Sequence, residues 1–298
     1  MPRKPRLHVP GGLYHVILRG NDRQPIFFDT DDRQQWESLI EDGLDEHGHR
    51  LHAYCWMTNH VHMAIQCHKR PLSEFMRLVA SQYARSTNKK MQRTGHLFER
   101  RHRAILVQAD AYLKELVRYI HLNPLRAGMV EAIADYPWCS HQAYLTGSPP
   151  DWLTLDWVLS AFGESLGDAR RQYARFMRID YPTSISQQFR DGSDADQRVL
   201  GDDEFIASLA HDMTQPSARQ TLAELSHDIC QKHDVSAAEL KSFSRERKYS
   251  AIRAEIGLAA IENGIASNAE IARYFNRNQS GLSRAISRLR RQSKQVNK

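Results

Sequence analysis

Two kinds of hydrophobic pattern alternate along the first 122 residues, and their order predicts the fold. Apolar and polar residues alternate with the period of a β-strand in residues 13–20, 51–57, 58–65 and 102–107. Apolar residues recur at helical spacing in residues 30–46, 71–83 and 109–122. The resulting order, β-α-β-β-α-β and then a helix, is typical of the split-βαβ, ferredoxin-like arrangement. We therefore expect an α+β domain: an antiparallel sheet with helices on one face and the other face open for a ligand.

The C-terminal part of the chain has a helical pattern. Residues 181–202 combine Pro, Ser, Gly and Asp with little periodicity, which indicates a linker or loose connection. Helical spacing returns in residues 245–262, in a short helix ending near residue 275, and in residues 279–291. The last helix carries Ser and Arg opposite an apolar stripe, which predicts a helix-turn-helix whose second helix enters a major groove. The alternative is a three-helix packing unit that binds no groove.

These patterns predict three parts within the 298 residues. Residues 1–147 form the ferredoxin-like domain, residues 148–215 form a helical connector and linker, and residues 216–298 form an all-α helix-turn-helix domain.

Hydropathy and cysteine usage favour a cytoplasmic protein. No stretch approaches the roughly 18 continuous apolar residues of a membrane span, so we expect no membrane partner. The first residues lack the apolar segment of a signal peptide. The four cysteines show no CxxC spacing and lie among apolar neighbours, which is typical of reduced core thiols.

Positive charge is concentrated in two stretches. The net charge is +6, and residues 85–103 contain seven Lys or Arg and one acidic residue. Residues 277–298 contain seven Lys or Arg and no acidic residue. A basic stretch is often only a solvated face. Two such stretches, each beside a candidate functional element, favour a nucleic-acid partner.

The His60-Val61-His62 segment is a candidate metal site. In a strand of period two, both imidazoles project from the same face. Together they can bind one divalent cation if a third ligand comes from elsewhere in the chain. The alternative is a pair of polar residues on the wet face of a sheet.

A second candidate group lies about sixty residues later, on the helix over residues 109–122. Tyr119 and Asn123 lie one turn apart on the border of its apolar stripe. A phenolate beside a metal can attack a phosphodiester and join covalently to DNA. The amide oxygen of Asn123 is a ligand for Mg²⁺ or Mn²⁺, and two imidazoles beside it favour Mn²⁺. Alternatively, Tyr119 is a core residue and Asn123 ends a helix before proline. Tyr83 is a rival nucleophile, although it continues an apolar stripe and is expected in the core.

Four motifs in order carry a family resemblance: HVHMAI, GHLFERRHRAI, RYIHLNPLRAGMV and YPWCS. Residues 8–147 resemble single-tyrosine HUH transposases, and more closely the REP-associated tyrosine transposases, which are relatives of small insertion-sequence transposases. The resemblance implies that His60 and His62 bind a divalent metal, that Tyr119 is the nucleophile and that Asn123 completes the metal site. Many insertion-sequence relatives have glutamine at this last position. Residues 216–298 resemble, more loosely, the DNA-binding domain of bacterial replication initiators.

The candidate DNA contacts combine the basic stretches with the family resemblance. Arg19 and Asn21 resemble the family's RGN segment, and His96 and His102 are plausible phosphate or base contacts. The DNA-binding candidates are Arg19, Asn21, His96, Arg100, Arg101 and Arg103 in the first domain, and Ser283, Arg284 and Arg288 in the last helix.

The expected function is that of a metal-dependent tyrosine transposase, a single-stranded DNA endonuclease and strand transferase acting near hairpins. Tyr119 would form a 5′-phosphotyrosine and release a 3′-hydroxyl. The expected partners are single-stranded and hairpin DNA, duplex DNA through the C-terminal domain, and, in a homodimer, a second copy of the chain; a monomer is equally compatible. The alternatives are a non-catalytic DNA-binding regulator that uses the helix-turn-helix, and a metal-dependent RNA endonuclease.

Overall fold

The computed structural model describes residues 6–179, 183–214, 221–242, 244, 246–262, 265–266 and 268–296. The chain divides into two compact units, residues 1–210 and 211–298. Most of the segment expected to be a connector therefore packs within the first unit. In the described part of the chain, no helix combines the length and apolar character needed to cross a membrane.

The first unit contains a five-stranded sheet. Its strands are β1 (Leu13–Arg19), β2 (Arg50–Trp56), β3 (His60–Gln66), β4 (Arg103–Val107) and β5 (Val199–Leu200). Their spatial order is β2-β3-β1-β4-β5, and β1 to β4 pair antiparallel. This arrangement confirms the predicted ferredoxin-like α+β fold, in which β3 and β1 are inner strands. The fifth strand, parallel to β4, is an addition that the pattern does not predict.

Helices of the first unit cover both faces of the sheet. They are α1 (Thr30–His47), α2 (Leu72–Lys90), α3 (Ala109–His121), α4 (Asn123–Arg126), α5 (His141–Thr146), α6 (Asp156–Ser160), α7 (Leu166–Phe176) and α8 (Thr183–Asp191); α9 (Asp203–Thr214) begins in this unit and continues past residue 210. One face of β1, which carries Tyr14, Val16 and Leu18, is buried in the core with Trp36 of α1 and Tyr83 of α2. The opposite face carries the alternating residues, His15 among them, and packs against α3.

The expected loose connection over residues 181–202 contains a helix and a strand. Phe189 of α8 is fully buried, and Val199 and Leu200 of β5 are almost fully buried. These three apolar side chains anchor the segment to the core, and they are not periodic. Their burial comes from tertiary contacts, which a local hydrophobic pattern does not reveal.

Both outer edges of the sheet are covered by later segments of the chain. On one side β5 pairs with β4. On the other side, residues 138–154 donate to or accept from the backbone of β2. These bonds are Trp56 N–H to the carbonyl of Trp138 (2.8 Å), Ser140 N–H to the carbonyl of Tyr54 (3.1 Å) and Thr154 N–H to the carbonyl of Leu51 (2.9 Å).

The second unit is helical. Its helices are α10 (Leu222–His233), α11 (Ala237–Lys241), α12 (Arg247–Glu262), α13 (Asn268–Tyr274) and α14 (Gln279–Val296). Ile256, Ile271, Phe275 and Ile286 lie in its core. Between α13 and α14 the chain turns at Asn276, whose φ of 52° is left-handed. Two helices with a turn between them therefore lie at the predicted positions, and their assignment as a DNA-binding helix-turn-helix stays a prediction.

Candidate active site

Two histidines of β3 lie on the sheet face that α3 covers. The β1–β3 register pairs His60 with Arg19 and His62 with Ile17. The rings of His60 and His62 have centroids 4.9 Å apart. His15 of β1 stacks on His62 at 5.2 Å. The structure thus brings three imidazoles together, of which the sequence pattern singles out two.

A chain of hydrogen bonds determines which nitrogen of His62 carries the proton. His15 Nδ1 lies 2.9 Å from the carbonyl oxygen of Phe189, to which it must donate. Burial lowers the pKa of His15 to about 3, so the neutral ring has its lone pair at Nε2. This lone pair accepts from His62 Nδ1 at 2.9 Å. Burial also lowers the pKa of His62 well below its usual range, so Nε2 of neutral His62 holds the lone pair that a metal ion requires.

The tautomer of His60 is determined in the same way. Asn59 Nδ2 donates to the carbonyl of Arg23 at 2.7 Å, so the Asn59 amide oxygen is the atom that faces His60. That oxygen accepts from His60 Nδ1 at 2.6 Å. Burial, with the nearby Arg19 guanidinium, lowers the pKa of His60 to about 4. Nε2 of His60 therefore also carries a lone pair at neutral pH.

The amide of Asn123 is oriented by the helix that precedes it. Its Nδ2 donates to the carbonyls of Tyr119 (2.9 Å) and Ile120 (3.3 Å), which leaves Oδ1 as the acceptor atom. Among the described residues, no three His, Cys, Asp or Glu side chains form a metal-binding group. A metal held by His60 and His62 would therefore need a third ligand from another residue type, and the amide oxygen of Asn123 is such a ligand. Two imidazoles and an amide oxygen fit a divalent ion and suit Mn²⁺ better than Mg²⁺.

Tyr119 of α3 lies against the histidines. Its ring centroid is 5.4 Å from that of His15 and 5.7 Å from that of His62. The Arg126 guanidinium lies 4.2 Å from the centroid of the Tyr119 ring and donates to its backbone carbonyl at 2.6 Å. Burial raises the pKa of Tyr119, while Arg126, Arg190 and Arg19 oppose this shift. Removing water thus disfavours the phenolate, and the surrounding cations favour it.

The face expected to be open is covered by α8. Phe189 is fully buried, with its ring centroid 5.3 Å from that of Tyr119, which is itself only 4% exposed. Two further bonds attach α8: Arg126 donates to Ser186 Oγ (2.8 Å), and Arg103 donates to the carbonyl of Asp191 (2.8 Å). The expectation of an open face is wrong for this conformation, because a segment beyond the ferredoxin-like fold packs on it.

A comparison with protein families matches residues 8–123 to the family described as "Transposase IS200 like". The matched segment contains β1 to β4 and α3, with His60, His62, Tyr119 and Asn123. Residues 8–123, which match this family, are called the transposase domain below. The match confirms the family resemblance and the prediction of a DNA-processing enzyme of the transposase type. Residues 124–298 lie outside the match.

Two individual proteins are similar to the chain around the transposase domain. A curated protein of Haemophilus influenzae, named among the REP-associated tyrosine transposases, is 24% identical over 155 residues, which is 48% of this chain and 88% of that protein. A solved structure of a REP-associated tyrosine transposase bound to a REP hairpin is 20% identical, with a TM-score of 0.41. That similarity covers 52% of this chain and 92% of the other.

Three residues around the site are absent from the sequence-based prediction. His15 shares a strand face with Arg19, and this alternation was a usable signal. Arg126 follows Tyr119 by seven residues, or about two helical turns, so its proximity was also readable from spacing. Phe189 lies far along the chain, outside the transposase domain, and no local pattern links it to Tyr119.

The candidate DNA contacts fall into separate places. Arg19 lies close enough to lower the pKa of His60 and to oppose the rise in the pKa of Tyr119. Arg103 donates to the backbone of α8. The remaining candidates of the first unit, Asn21, His96, Arg100 and Arg101, are exposed. In the second unit, Arg284 and Arg288 of α14 are exposed and Ser283 is half-buried. Tyr83, the rival nucleophile, is buried in the core, where it donates to the carbonyl of Ile26 at 2.6 Å.

Proposed function

We propose that the chain is a metal-dependent transposase and endonuclease for single-stranded DNA, which cleaves and rejoins strands near hairpins through a 5′-phosphotyrosine. The observation that supports this most strongly is the packing of Tyr119 on His62, within a network that leaves Nε2 of His60 and His62 available as ligands. A buried tyrosine in a purely structural role has no need of two oriented imidazoles beside it.

The proposed metal ligands are His60 Nε2, His62 Nε2 and Asn123 Oδ1. A bound Mg²⁺ or Mn²⁺ ion would polarise the scissile phosphate and stabilise the negative charge that develops on it. His15 has a positioning role, because its acceptor nitrogen keeps the proton of His62 on Nδ1.

Tyr119 is the proposed nucleophile. Its phenolic oxygen forms a bond to phosphorus, the bond between phosphorus and the 3′-oxygen breaks, and the phenolic proton ends on the departing 3′-oxygen. Arg126 lies over the ring and stabilises the phenolate as it forms. When a 3′-hydroxyl attacks the phosphotyrosine, the strand is rejoined and Tyr119 is regenerated, so no external energy source is required.

The proposed substrates follow from the relatives and from charge. The name of the Haemophilus protein refers to repetitive palindromes, and a palindromic single strand folds into a hairpin. Arg19 and the exposed arginines of residues 100–101 would bind its phosphates. We further propose that α13 and α14 bind duplex DNA through Ser283, Arg284 and Arg288. A chromosomal substrate, together with four free cysteines among the described residues, supports a cytoplasmic location.

The decisive experiment compares Tyr119→Phe with the wild type on hairpin oligonucleotides in Mn²⁺ or Mg²⁺. The variant should lose cleavage and the covalent adduct while hairpin binding stays within about twofold, since only one buried oxygen is removed. Mass spectrometry of the adduct identifies the attached tyrosine. Tyr112→Phe, on the same helix, is the matched control and should cleave normally.

Three results would contradict the proposal. An adduct that persists in Tyr119→Phe would move the nucleophile elsewhere, and Tyr83→Phe would then test the rival. Faster cleavage of an RNA hairpin than of the DNA hairpin would favour an RNA endonuclease. A wild type that binds DNA but forms no adduct with either metal would favour the non-catalytic regulator.

A further inference from the structure

A cavity of about 540 Å³ lies on the side of the sheet opposite to Tyr119. Tyr14 and Leu72 line it, and Tyr14 projects from the face of β1 opposite to His15. At about 30 Å³ per water molecule, the cavity is far too large for a single ion, and its volume falls in the range of about 300–1,000 Å³ that small-molecule sites occupy.

The lining is strongly cationic. Arg6, Arg100, Arg101 and Arg103 line the cavity, and none of the described residues around it is acidic. Arg6 and Arg101 lie close enough that the positive charge of Arg101, after burial, contributes to lowering the pKa of Arg6. Arg198 also lines the cavity but forms an ion pair with Asp196 at 2.5 Å, and Arg100 lies 3.8 Å from Glu99, so these two arginines add less net charge. Arginines that outnumber their acidic partners in a cavity favour an anionic ligand.

Two further features of the lining suit a phosphate group. The N-terminus of α2, at Pro71 and Leu72, contributes to the wall, and Pro71 provides no side-chain cap. His102 Nε2 is buried without a hydrogen-bond partner in the described structure. Burial and the charges of Arg6 and Arg101 lower the pKa of His102 to about 3, so its ring is neutral. A neutral imidazole with an unpartnered nitrogen can bind a polar group of a ligand that the arginines attract.

The cavity is assembled partly from residues outside the transposase domain. Arg6 precedes the matched segment 8–123, whereas Gln197 and Arg198 follow it by more than seventy residues. Tyr14 and the α2 N-terminus place the cavity on the other side of the sheet from Tyr119, and Arg103, at the start of β4, borders both the cavity and α8.

We propose that this cavity is a nucleotide-binding site that holds one phosphate group together with its attached nucleoside. The arginines and the α2 N-terminus bind the phosphate, the guanidinium planes stack on the base, and His102 Nε2 bonds to the base or sugar. The nucleotide belongs either to a bound DNA strand or to the free nucleotide pool, and both sources present the same phosphate and nucleoside.

The experiment measures binding to the full chain by calorimetry. The probes are deoxyadenosine monophosphate, deoxyadenosine, inorganic phosphate and a single-stranded deoxyadenosine decamer. The nucleotide and the decamer should both bind, while the nucleoside and phosphate alone should each bind at least about tenfold more weakly. The double variant Arg6→Ala/Arg101→Ala should weaken nucleotide binding about 10- to 100-fold, which corresponds to the loss of charged hydrogen bonds. His102→Asn should weaken the binding of the nucleotide more than the binding of inorganic phosphate.

The controls separate this site from its surroundings and from the catalytic proposal. Arg6 and Arg101 are both exposed, so their replacement should not disturb folding, and circular dichroism checks this. Arg175→Ala removes one exposed charge from α7 of the same unit and should leave nucleotide binding unchanged. Tyr119→Phe should also leave it unchanged, so a failure of the catalytic proposal does not affect this one.

The outcomes decide between the ligands. Decamer binding far tighter than nucleotide binding, with the same dependence on Arg6 and Arg101, identifies a DNA strand as the source. Equal affinities identify the free nucleotide. The proposal is overturned if the double variant binds the nucleotide within twofold of the wild type. It is also overturned if inorganic phosphate binds as tightly as the nucleotide, because the cavity is then a simple anion site.

Discussion

Replacing Phe189 by alanine should accelerate formation of the covalent adduct. The phenol of Tyr119 is 4% exposed because α8 covers it, and a scissile phosphate can reach its oxygen only when α8 moves away. Phe189 is the fully buried side chain that α8 places against Tyr119 and His15. Its removal weakens the attachment of α8 without changing a proposed catalytic atom.

The size of the effect follows from the burial of that ring. Burying a phenylalanine side chain contributes about 1.5–3 kcal/mol. Each 1.4 kcal/mol changes an equilibrium constant about tenfold, so the uncovered state should become about 10- to 100-fold more populated. If the covered state predominates in the wild type, the adduct forms faster by the same factor, up to the point where the uncovered state predominates.

The assay is the single-turnover rate of adduct formation on a hairpin oligonucleotide at saturating Mn²⁺. Hydrogen exchange in residues 183–191 should rise in parallel, since those amides lose their packing. Phe162→Ala is the matched control: Phe162 packs on Tyr173 and Phe176 in the same unit, and its loss should not change the rate. A folded Phe189→Ala variant with an unchanged or lower rate would refute the reasoning and assign Phe189 to the DNA-binding surface instead.

Three other predictions test the metal ligands, the second unit and the buried histidines. His15→Phe removes the acceptor for His62 Nδ1 and should lower the affinity for Mn²⁺, measured by electron paramagnetic resonance, about 10- to 100-fold. His62→Ala should lower that affinity further, and high Mn²⁺ concentrations should partly restore its cleavage activity. A fragment of residues 1–210 should still cleave a hairpin but bind duplex-flanked DNA more weakly and with a shallower salt dependence, and identical salt slopes would exclude DNA contact by the second unit. Burial lowers the pKa of His141 to about 4 in the folded protein, from about 6.5 in the unfolded chain. The free energy of unfolding should therefore lose nothing through His141 above pH 6.5 and up to about 3 kcal/mol as the pH drops to 4, because the unfolded chain binds the proton first. Urea unfolding of His141→Gln should show a smaller loss over that range.

The sequence was sufficient to predict the four antiparallel strands and the positions of the candidate site residues on their strand and helix. Strand alternation places His60 and His62 on one face, and helical spacing places Tyr119 one turn before Asn123. These are local, periodic relationships, which a single sequence contains in full. The order of the elements then restricts the topology to the one observed.

The environment of the site could not be predicted in the same way. The contact between Phe189 and Tyr119 joins residues seventy positions apart, and a single buried phenylalanine in a Ser- and Gln-rich segment has no periodicity. The cavity around His102 likewise depends on Arg6 and Arg198 meeting at the end of β4. Such groupings depend on how the chain returns to the sheet after the fourth strand, and this return follows from tertiary packing rather than local propensity.

The covered edges of the sheet restrict how two copies of this chain could associate. An exposed edge strand has unpaired N–H and C=O groups that can extend the sheet into a neighbouring molecule. Here β5 occupies the edge at β4, and residues 138–154 bond to the backbone of β2 at the other edge. A homodimer built on the first unit would therefore need complementary side-chain surfaces, since continuing the sheet from one protomer to the next would first require the chain's own segments to detach.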